Sequence, residues 1–402
     1  MGATVTDIQE AAIRLRAARE AVLLPKSSLD VVEALSLLAE RCLRGESAAA
    51  AQLETLTEPF PFSMVRPSLN ALLQSMSRDS LRHLQKNEGV TDSLGYVVVG
   101  HVIAGNTPLL AWTSVVRALL VRSASLVKLP TGSAAQWGRV FHTLLAETDP
   151  SLVRCVEMWE WAGGTRDLDE TLALQTDCLI AYGDDATIEQ LQGYRPQAPF
   201  LGYGHRLSMG IALTAADGIR AAADFARDVL TYDQSGCLSP HSIYVIGDVY
   251  DADDFAERLA VALRRMSMES FSAPVTVAAA AQVRRHRTLA RMMGDRLWED
   301  TDLRYTVVRP RRRQFAASPT HGVINVQSLS SVDVLPEALA EVTGALQGCA
   351  VAASGDIPLS LRRILEDAGV SYVCRPGELQ TPPIEWRQNG MDVLKCLTPA
   401  VE

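Results

Sequence analysis

Little in this sequence supports function through bulk charge, metal or membrane. Basic side chains are the minority, with 38 Lys and Arg against 47 Asp and Glu for a net charge of −9, which argues against nonspecific nucleic-acid binding as the main activity. The seven cysteines, at 42, 155, 178, 237, 349, 374 and 396, are odd in number and form no CxxC pair. Neither a disulfide framework nor a zinc site is indicated, no metal is expected, and a reducing, cytoplasmic setting fits. No apolar run approaches the ~20 residues that span a bilayer. The start, MGATVTDIQE, lacks the basic-then-apolar order of a signal peptide, so no membrane partner is expected. That start fits the loose MGxxx[ST] myristoylation pattern, which is short and permissive enough to arise by chance. Aromatic residues are only 6% and define no substrate pocket. There is no internal repeat, and no low-complexity tract beyond SAAAAQ at 47–52. A GxGxxG dinucleotide fingerprint is absent after the first strand, and GYGHRLSMG at 202–210 has the wrong spacing for one.

What the sequence does contain is a long alternation. A chain of 402 residues, 48% hydrophobic and 21% charged, is globular in composition and long enough for two sizeable cores. Before residue 90, segments such as LDVVEALSLLAERCL and SLNALLQSMSRDSLRHLQ space apolar residues by three and four, which predicts amphipathic helices. From there strand-like and helix-like stretches alternate: GYVVVGHVIA, PLLAWTSVVRALLVR, SLVKLP, SAAQWGRVFHTLLAE, CVEMWEWAG, RDLDETLALQ, CLIAYG and DATIEQLQGY. Continuous apolar strands separated by helices predict a parallel sheet covered on both faces, the α/β architecture that binds nucleotides at the carboxyl ends of its strands. The expected domains are a helical segment at 1–90, a cofactor-binding domain at 91–232, a catalytic domain at 233–370, and a segment at 371–402 that returns to the cofactor domain or to a subunit interface.

Cys237 lies between the helix-like IRAAADFARDVLTYD and the strand-like HSIYVIGD, where one domain is expected to give way to the next and clefts form. Its thiolate would be a strong nucleophile toward a thioester carbonyl, and Gly236 removes bulk beside the sulfur. The competing reading is a buried, inert cysteine.

Further motifs bear on that choice. VIAGNTPLLAWTSVVRALLVRSASLVKLP at 102–130 resembles the Asn-x-Pro, helix, strand, Lys segment of the aldehyde dehydrogenase superfamily, and DQSGC resembles its nucleophile loop. More narrowly, YGDDATI at 182–188, GHRLSMGI at 204–211, DVLTYDQSGCLSPHSIYV at 228–245 and CRPGELQTPPIEW at 374–386 together resemble the LuxC-type acyl-CoA reductases. The likeness runs over about residues 90–395. It implies an aldehyde dehydrogenase-like fold of two Rossmann-like parallel-sheet domains with an N-terminal helical layer, a homo-oligomer, and NADPH-dependent reduction of an acyl thioester to the aldehyde through an acyl-Cys237.

The resemblance also assigns roles. Asn106 is the side-chain donor to an oxyanion, or a cap of the helix that follows. Lys128 contacts the adenosine ribose or its phosphate, or is a solvated strand-end lysine. Three residues on, where NAD-preferring relatives often carry an acid, stands Thr131, which leaves room for a 2′-phosphate and favours NADPH. Gly183, Gly204 and His205 fall in motifs expected at the cofactor, His205 with Arg206 alternatively being a satisfied polar pair. Glu378 holds the nicotinamide ribose or is an exposed turn acid. His241 either polarises the thiol or anchors its loop, and His101 is expected as a hydrogen-bonded core residue. The stretch that resembles the Glu-Leu-Gly-Gly of hydrolytic aldehyde dehydrogenases reads PFLGYGHRL, without a carboxylate, which suits thioester reduction over release of free acid. The runs VRRHR at 283–287 and RPRRR at 309–313 are solvated surface, or a docking patch for CoA phosphates or an acidic or acyl-transferring protein partner. An aldehyde-oxidising enzyme and a noncatalytic scaffold subunit remain the alternatives.

Overall fold

The computed structural model describes residues 3–213, 216–269 and 275–399; Gly2 of the myristoylation pattern lies outside them. The chain forms two compact units. One comprises the chain up to His205 together with Pro383–Arg387 and the stretch from Met391 on, and the other comprises Arg206–Pro382 with Gln388–Gly390.

In the first unit, helices α1 (Val5–Ala18), α2 (Ser28–Leu43), α3 (Ala48–Leu53), α4 (Phe62–Ser75) and α5 (Arg78–Asn87) precede any strand. Capping boxes start α1 at Thr4 with Asp7 and α2 at Ser27 with Asp30, each satisfying backbone N–H groups that a helix start leaves without partners. The single segment expected at 68–85 is two helices, because Ser77 caps a new one after Met76. Then follow β1 (Val98–Val102), α6 (Leu110–Leu120), β2 (Ala124–Leu129), α7 (Ala135–Thr148), β3 (Val156–Glu160), α8 (Arg166–Gln175), β4 (Cys178–Tyr182), α9 (Asp185–Tyr194) and β5 (Phe200–Tyr203). The strands form one parallel sheet in the order β3-β2-β1-β4-β5. Long-range hydrogen bonds tie the helical layer to it: Arg19 donates to the carbonyls of Arg122 and Gly95 at 3.0 and 2.9 Å, and Arg16 reaches Asp177, which also accepts the Val98 N–H. His101, fully buried in β1, is held between the hydroxyls of Ser114 and Ser125 at 2.7 and 3.1 Å. Burial pushes its pKa down to about 3, so it is a neutral core residue.

The second unit contains β6 (Leu207–Leu213), α10 (Gly218–Leu230), β7 (Pro240–Ile246), α11 (Val249–Glu269), α12 (Val277–Met292), β8 (Arg296–Glu299), β9 (Thr306–Arg309), β10 (Val323–Leu329), β11 (Leu346–Ala352) and β12 (Tyr372–Cys374). They pair in the order β12-β11-β6-β7-β10-β9-β8, parallel except for the antiparallel pair β8 and β9. The sequence reading carried the first domain to residue 232. β6 is instead hydrogen-bonded between β11 and β7, so residues 206–232 belong with the second sheet. Likewise β12 belongs there, and the returning segment joins the first unit only from Pro383.

One buried carboxylate fastens the loop after β12 to α10. Asp228 accepts the N–H groups of Gly377 and Leu379 at 2.7 and 3.1 Å, yet burial pushes it up from 3.8 to about 7. A carboxyl whose folded pKa is raised contributes stability below its unfolded pKa and loses it as pH rises through the folded one. The uncharged Asp228→Asn should lack this dependence. In urea titrations between pH 4 and 8, the wild type should lose stability relative to the variant as pH rises from about 4 to about 7 and level off above that; a difference constant with pH would contradict the assignment.

Candidate active site

The loop carrying Cys237 follows α10, and its backbone is unusual before the cysteine is reached. Tyr232, Asp233 and Gln234 have φ of 57°, 50° and 61°, left-handed conformations that side chains with a Cβ rarely adopt. Gln234, 1% exposed, locks the turn: its Nε2 donates to the carbonyls of Pro240 and Val323 at 2.7 and 2.8 Å and lies 3.2 Å from Ser318 Oγ. The Asp233 carbonyl accepts the N–H of His321 at 3.3 Å, and His321 and Thr320 are themselves left-handed.

Beyond the turn, Cys237 is gripped through its own backbone. Ser208 Oγ donates to the Cys237 carbonyl at 2.8 Å and accepts the Gly348 N–H at 3.0 Å. A Cβ on Gly348 would lie 2.7 Å from Leu238 and 2.9 Å from that hydroxyl, so only glycine allows β11 this close. Two residues past the cysteine, Ser239 Oγ accepts from Gln380 at 3.0 Å. Cys237 is partly exposed. Burial pushes its thiol up to about 11, while the backbone N–H groups of Cys237 and Leu238 and the Arg206 cation pull the other way. The resting sulfur is therefore a thiol, with three groups positioned to receive negative charge on it.

Of the histidines, His241 is buried and its Nδ1 accepts the Ser318 N–H at 3.1 Å, while Asn325 donates to its carbonyl at 3.2 Å. The two bonds fasten the start of β7 to the segment before β10 and to β10 itself. Glu378 is an exposed turn residue whose carboxylate accepts the Arg375 N–H at 3.1 Å.

The remaining residues singled out in the sequence lie on the first unit, at the carboxyl ends of its parallel strands. Asn106 is exposed in the turn after β1; α6 begins at Leu110 with Leu109 as its N-cap, so Asn106 does not cap it. Lys128, in β2, is 6% exposed rather than solvated. Burial lowers its ammonium pKa, opposed by Asp169 and Glu160. Thr131 is exposed at the following turn. Gly183 follows β4, where its N–H donates to the Tyr203 carbonyl at 3.3 Å. At Gly204 and His205 a carboxylate is present although the local sequence carries none: Asp185 Oδ1 accepts the His205 N–H at 2.9 Å and lies 2.3 Å from where a Gly204 Cβ would stand.

Among the arginines of the two basic runs, Arg287 is buried against Glu299 and Asp300 and Arg309 pairs with Asp253. Arg284, Arg285, Arg311, Arg312 and Arg313 are exposed. No helix among the described residues is long and apolar enough to cross a membrane.

Solved structures similar to this chain include an NAD-dependent benzaldehyde dehydrogenase from Corynebacterium glutamicum, at TM-score 0.72 and 15% identity over 99% of this chain and 90% of that one. An aldehyde dehydrogenase from Bacillus cereus, solved as its NAD+ complex, superposes at TM-score 0.74 and 13% identity over 99% and 88%. The fold is that of the aldehyde dehydrogenases. Within that class, the acyl-CoA reductase (LuxC) family matches residues 17–400, and the chain belongs to this family. Its relatives include the long-chain acyl-protein thioester reductase 2 of Photobacterium leiognathi, 28% identical over 49% of this chain and 44% of that protein. The long-chain acyl-protein thioester reductase of Aliivibrio fischeri is 29% identical over 37% and 32%. The matched region thus spans less than half the length of either relative.

Below its pKa of about 11 the Cys237 thiol ionises about tenfold more for each unit that the pH rises, so its alkylation by iodoacetamide should rise about tenfold per unit from pH 8 to 10. Peptide mapping separates it from the exposed Cys396. Arg206→Gln should slow the reaction at every pH in that range, by removing a cation that favours the thiolate; a plateau already reached at pH 8 would contradict the burial argument.

Proposed function

We propose that this protein reduces an acyl thioester to the aldehyde through a covalent acyl-Cys237, with NADPH as the reductant. The observation that carries the reading is the setting of Cys237: a partly exposed thiol, in a loop fixed from three directions, facing two backbone N–H groups and a guanidinium. Membership of an acyl-CoA reductase family supplies the reaction class.

In this reading the Cys237 thiol gives up its proton and the sulfur bonds to the thioester carbonyl carbon, whose π electrons become an oxyanion. The Asn106 amide is the proposed donor to that oxyanion, a fixed donor of this kind lowering the barrier by about 3–4 kcal/mol. As the carbonyl re-forms, the bond to the donor sulfur breaks and the donor leaves as a thiol, carrying a proton. The acyl-enzyme then has no positioned carboxylate from 199–207 to activate water, and Asp185 is committed to a backbone N–H. A reduced nicotinamide, when bound to the first unit, would supply the hydride. The thiohemiacetal alkoxide so formed would break its carbon–sulfur bond, releasing aldehyde and the Cys237 thiolate, which takes a proton from solvent to restore the thiol.

The first unit fits a nicotinamide dinucleotide. Its parallel strands present their carboxyl ends on both sides of the β1 switch point, where such ligands bind. Lys128 there is a buried cation near Asp169 and Glu160, and a buried cation favours an anionic ligand atom. Lys128 is the proposed contact for the adenosine ribose phosphate, with Thr131 leaving room beside it. Gly183, Gly204 and His205 complete the proposed cofactor surface. Glu378 is the proposed nicotinamide-ribose contact.

Intact mass after mixing with a panel of acyl-CoAs and acyl-protein thioesters, without cofactor, should show an acyl adduct that is absent in Cys237→Ala and discharged as aldehyde on adding NADPH. Failure of every donor to label the protein, with aldehyde and NADP+ turning over, would replace this reading by an oxidative one. Asn106→Ala should still bind cofactor but reduce kcat by about 100- to 1,000-fold; an unchanged kcat would remove Asn106 from the chemistry.

A further inference from the structure

We propose that Glu160 reads the 2′ position of the cofactor's adenosine ribose and sets the choice between NADH and NADPH. The inference rests on the nicotinamide reading above and deepens it. The turn after β2 carries no acid, since Lys128 is followed by Leu129, Pro130 and Thr131, and local sequence therefore suggests an open phosphate site. The neighbouring strand brings an acid beside that site, tempering the preference for a 2′-phosphate that Lys128 and Thr131 confer. Glu160 is the last residue of β3 and stands in register with Leu129 at the end of β2. Its Oε1 accepts the Gly132 N–H at 2.9 Å, and its Oε2 pairs with Arg139 on the first turns of α7. It also lies near enough to Lys128 to favour the charged ammonium.

A carboxylate held there suits one ligand and obstructs the other. Ribose hydroxyls donate to an acid at the end of this strand layer, whereas a 2′-phosphate needs cations and N–H donors. Gly132 N–H and Arg139 are such donors, and Glu160 already occupies both. A 2′-phosphate must therefore take them over from Glu160 and lie beside its charge. A 2′-hydroxyl has only to donate to it. The alternative is a turn staple with no ligand role, since a partly exposed ion pair contributes about 1 kcal/mol or less.

The two roles separate in direct binding. The full-length protein is titrated with NADH and with NADPH, following the fluorescence of the reduced nicotinamide, for wild type, Glu160→Gln, Arg139→Gln and Glu157→Gln. Glu157, on the same strand, pairs with Arg14 at 2.8 Å and serves as the control. Glu160→Gln should tighten NADPH and weaken NADH, moving the ratio of their dissociation constants about tenfold or more, because it removes a charge beside the phosphate and an acceptor from the hydroxyl. Arg139→Gln should move the ratio the opposite way, and Glu157→Gln should not move it. If Glu160→Gln shifts both affinities equally or leaves both unchanged, Glu160 is a staple and the inference falls while the cofactor reading stands. If the wild type binds neither dinucleotide, both fall together.

Discussion

The geometry of Cys237 depends on three consecutive residues held in a conformation they do not favour. A left-handed backbone costs roughly 1–2 kcal/mol for each residue bearing a Cβ, and Tyr232, Asp233 and Gln234 adopt it in sequence. The surroundings over-determine the turn: Tyr232 is buried, the Gln234 amide is spent on the Pro240 and Val323 carbonyls, and the Asp233 carbonyl is taken by a second left-handed segment at Thr320 and His321. Strain of this kind persists where the rest of the fold enforces it, and it clusters at functional sites. Here it ends α10 abruptly and sets Cys237 three residues later, under the Ser208 hydroxyl and before β7.

The same enclosure explains why the sulfur rests as a thiol. Packing that fixes the loop also desolvates the sulfur, and desolvation raises a thiol's pKa. The N–H groups of Cys237 and Leu238 and the Arg206 cation oppose the shift without reversing it. A thiol near 11 is only about one part in ten thousand ionised at pH 7, which protects it from adventitious oxidation and alkylation. Ionisation at neutral pH then calls for a change in surroundings, such as an electrophile arriving beside those three groups, because the Nδ1 lone pair of His241 already accepts the Ser318 N–H.

Legibility from sequence followed the range of the interactions concerned. RDLDETLALQ and DATIEQLQGY coincide with α8 and α9 residue for residue, since apolar spacing and end residues are local. The strand and helix alternation likewise read directly as parallel sheets. The expected boundary at 232 falls too late, because β5 and β6 are separated by only three residues and yet pair in different sheets, and no composition break marks the crossing. The left-handed turn was invisible for a related reason: none of its residues is the glycine or asparagine that usually signals such backbone. Long-range partners left no trace at all. Nothing near Lys128 announces Glu160, nothing near His205 announces Asp185, and the Gly348 N–H reaches Ser208 across 140 residues.

Those long-range carboxylates change what the missing acid in 199–207 implies. A glutamate in that stretch would be free to take a proton from water, whereas Asp185 arrives from α9 and is consumed by the turn itself, its Oδ1 on the His205 N–H and hard against Gly204. Glu160 stands in a parallel position at the other end of the sheet, absent from the local sequence and delivered by a neighbouring element. The two differ in what they hold. Asp185 closes a turn with backbone alone, so its displacement opens nothing that a ligand could use. Glu160 bridges a backbone N–H and the exposed Arg139 cation beside a buried lysine. Of these two acids only Glu160 holds an N–H and a cation that an anionic ligand also uses, and the proposed reading of the 2′ position rests on that difference.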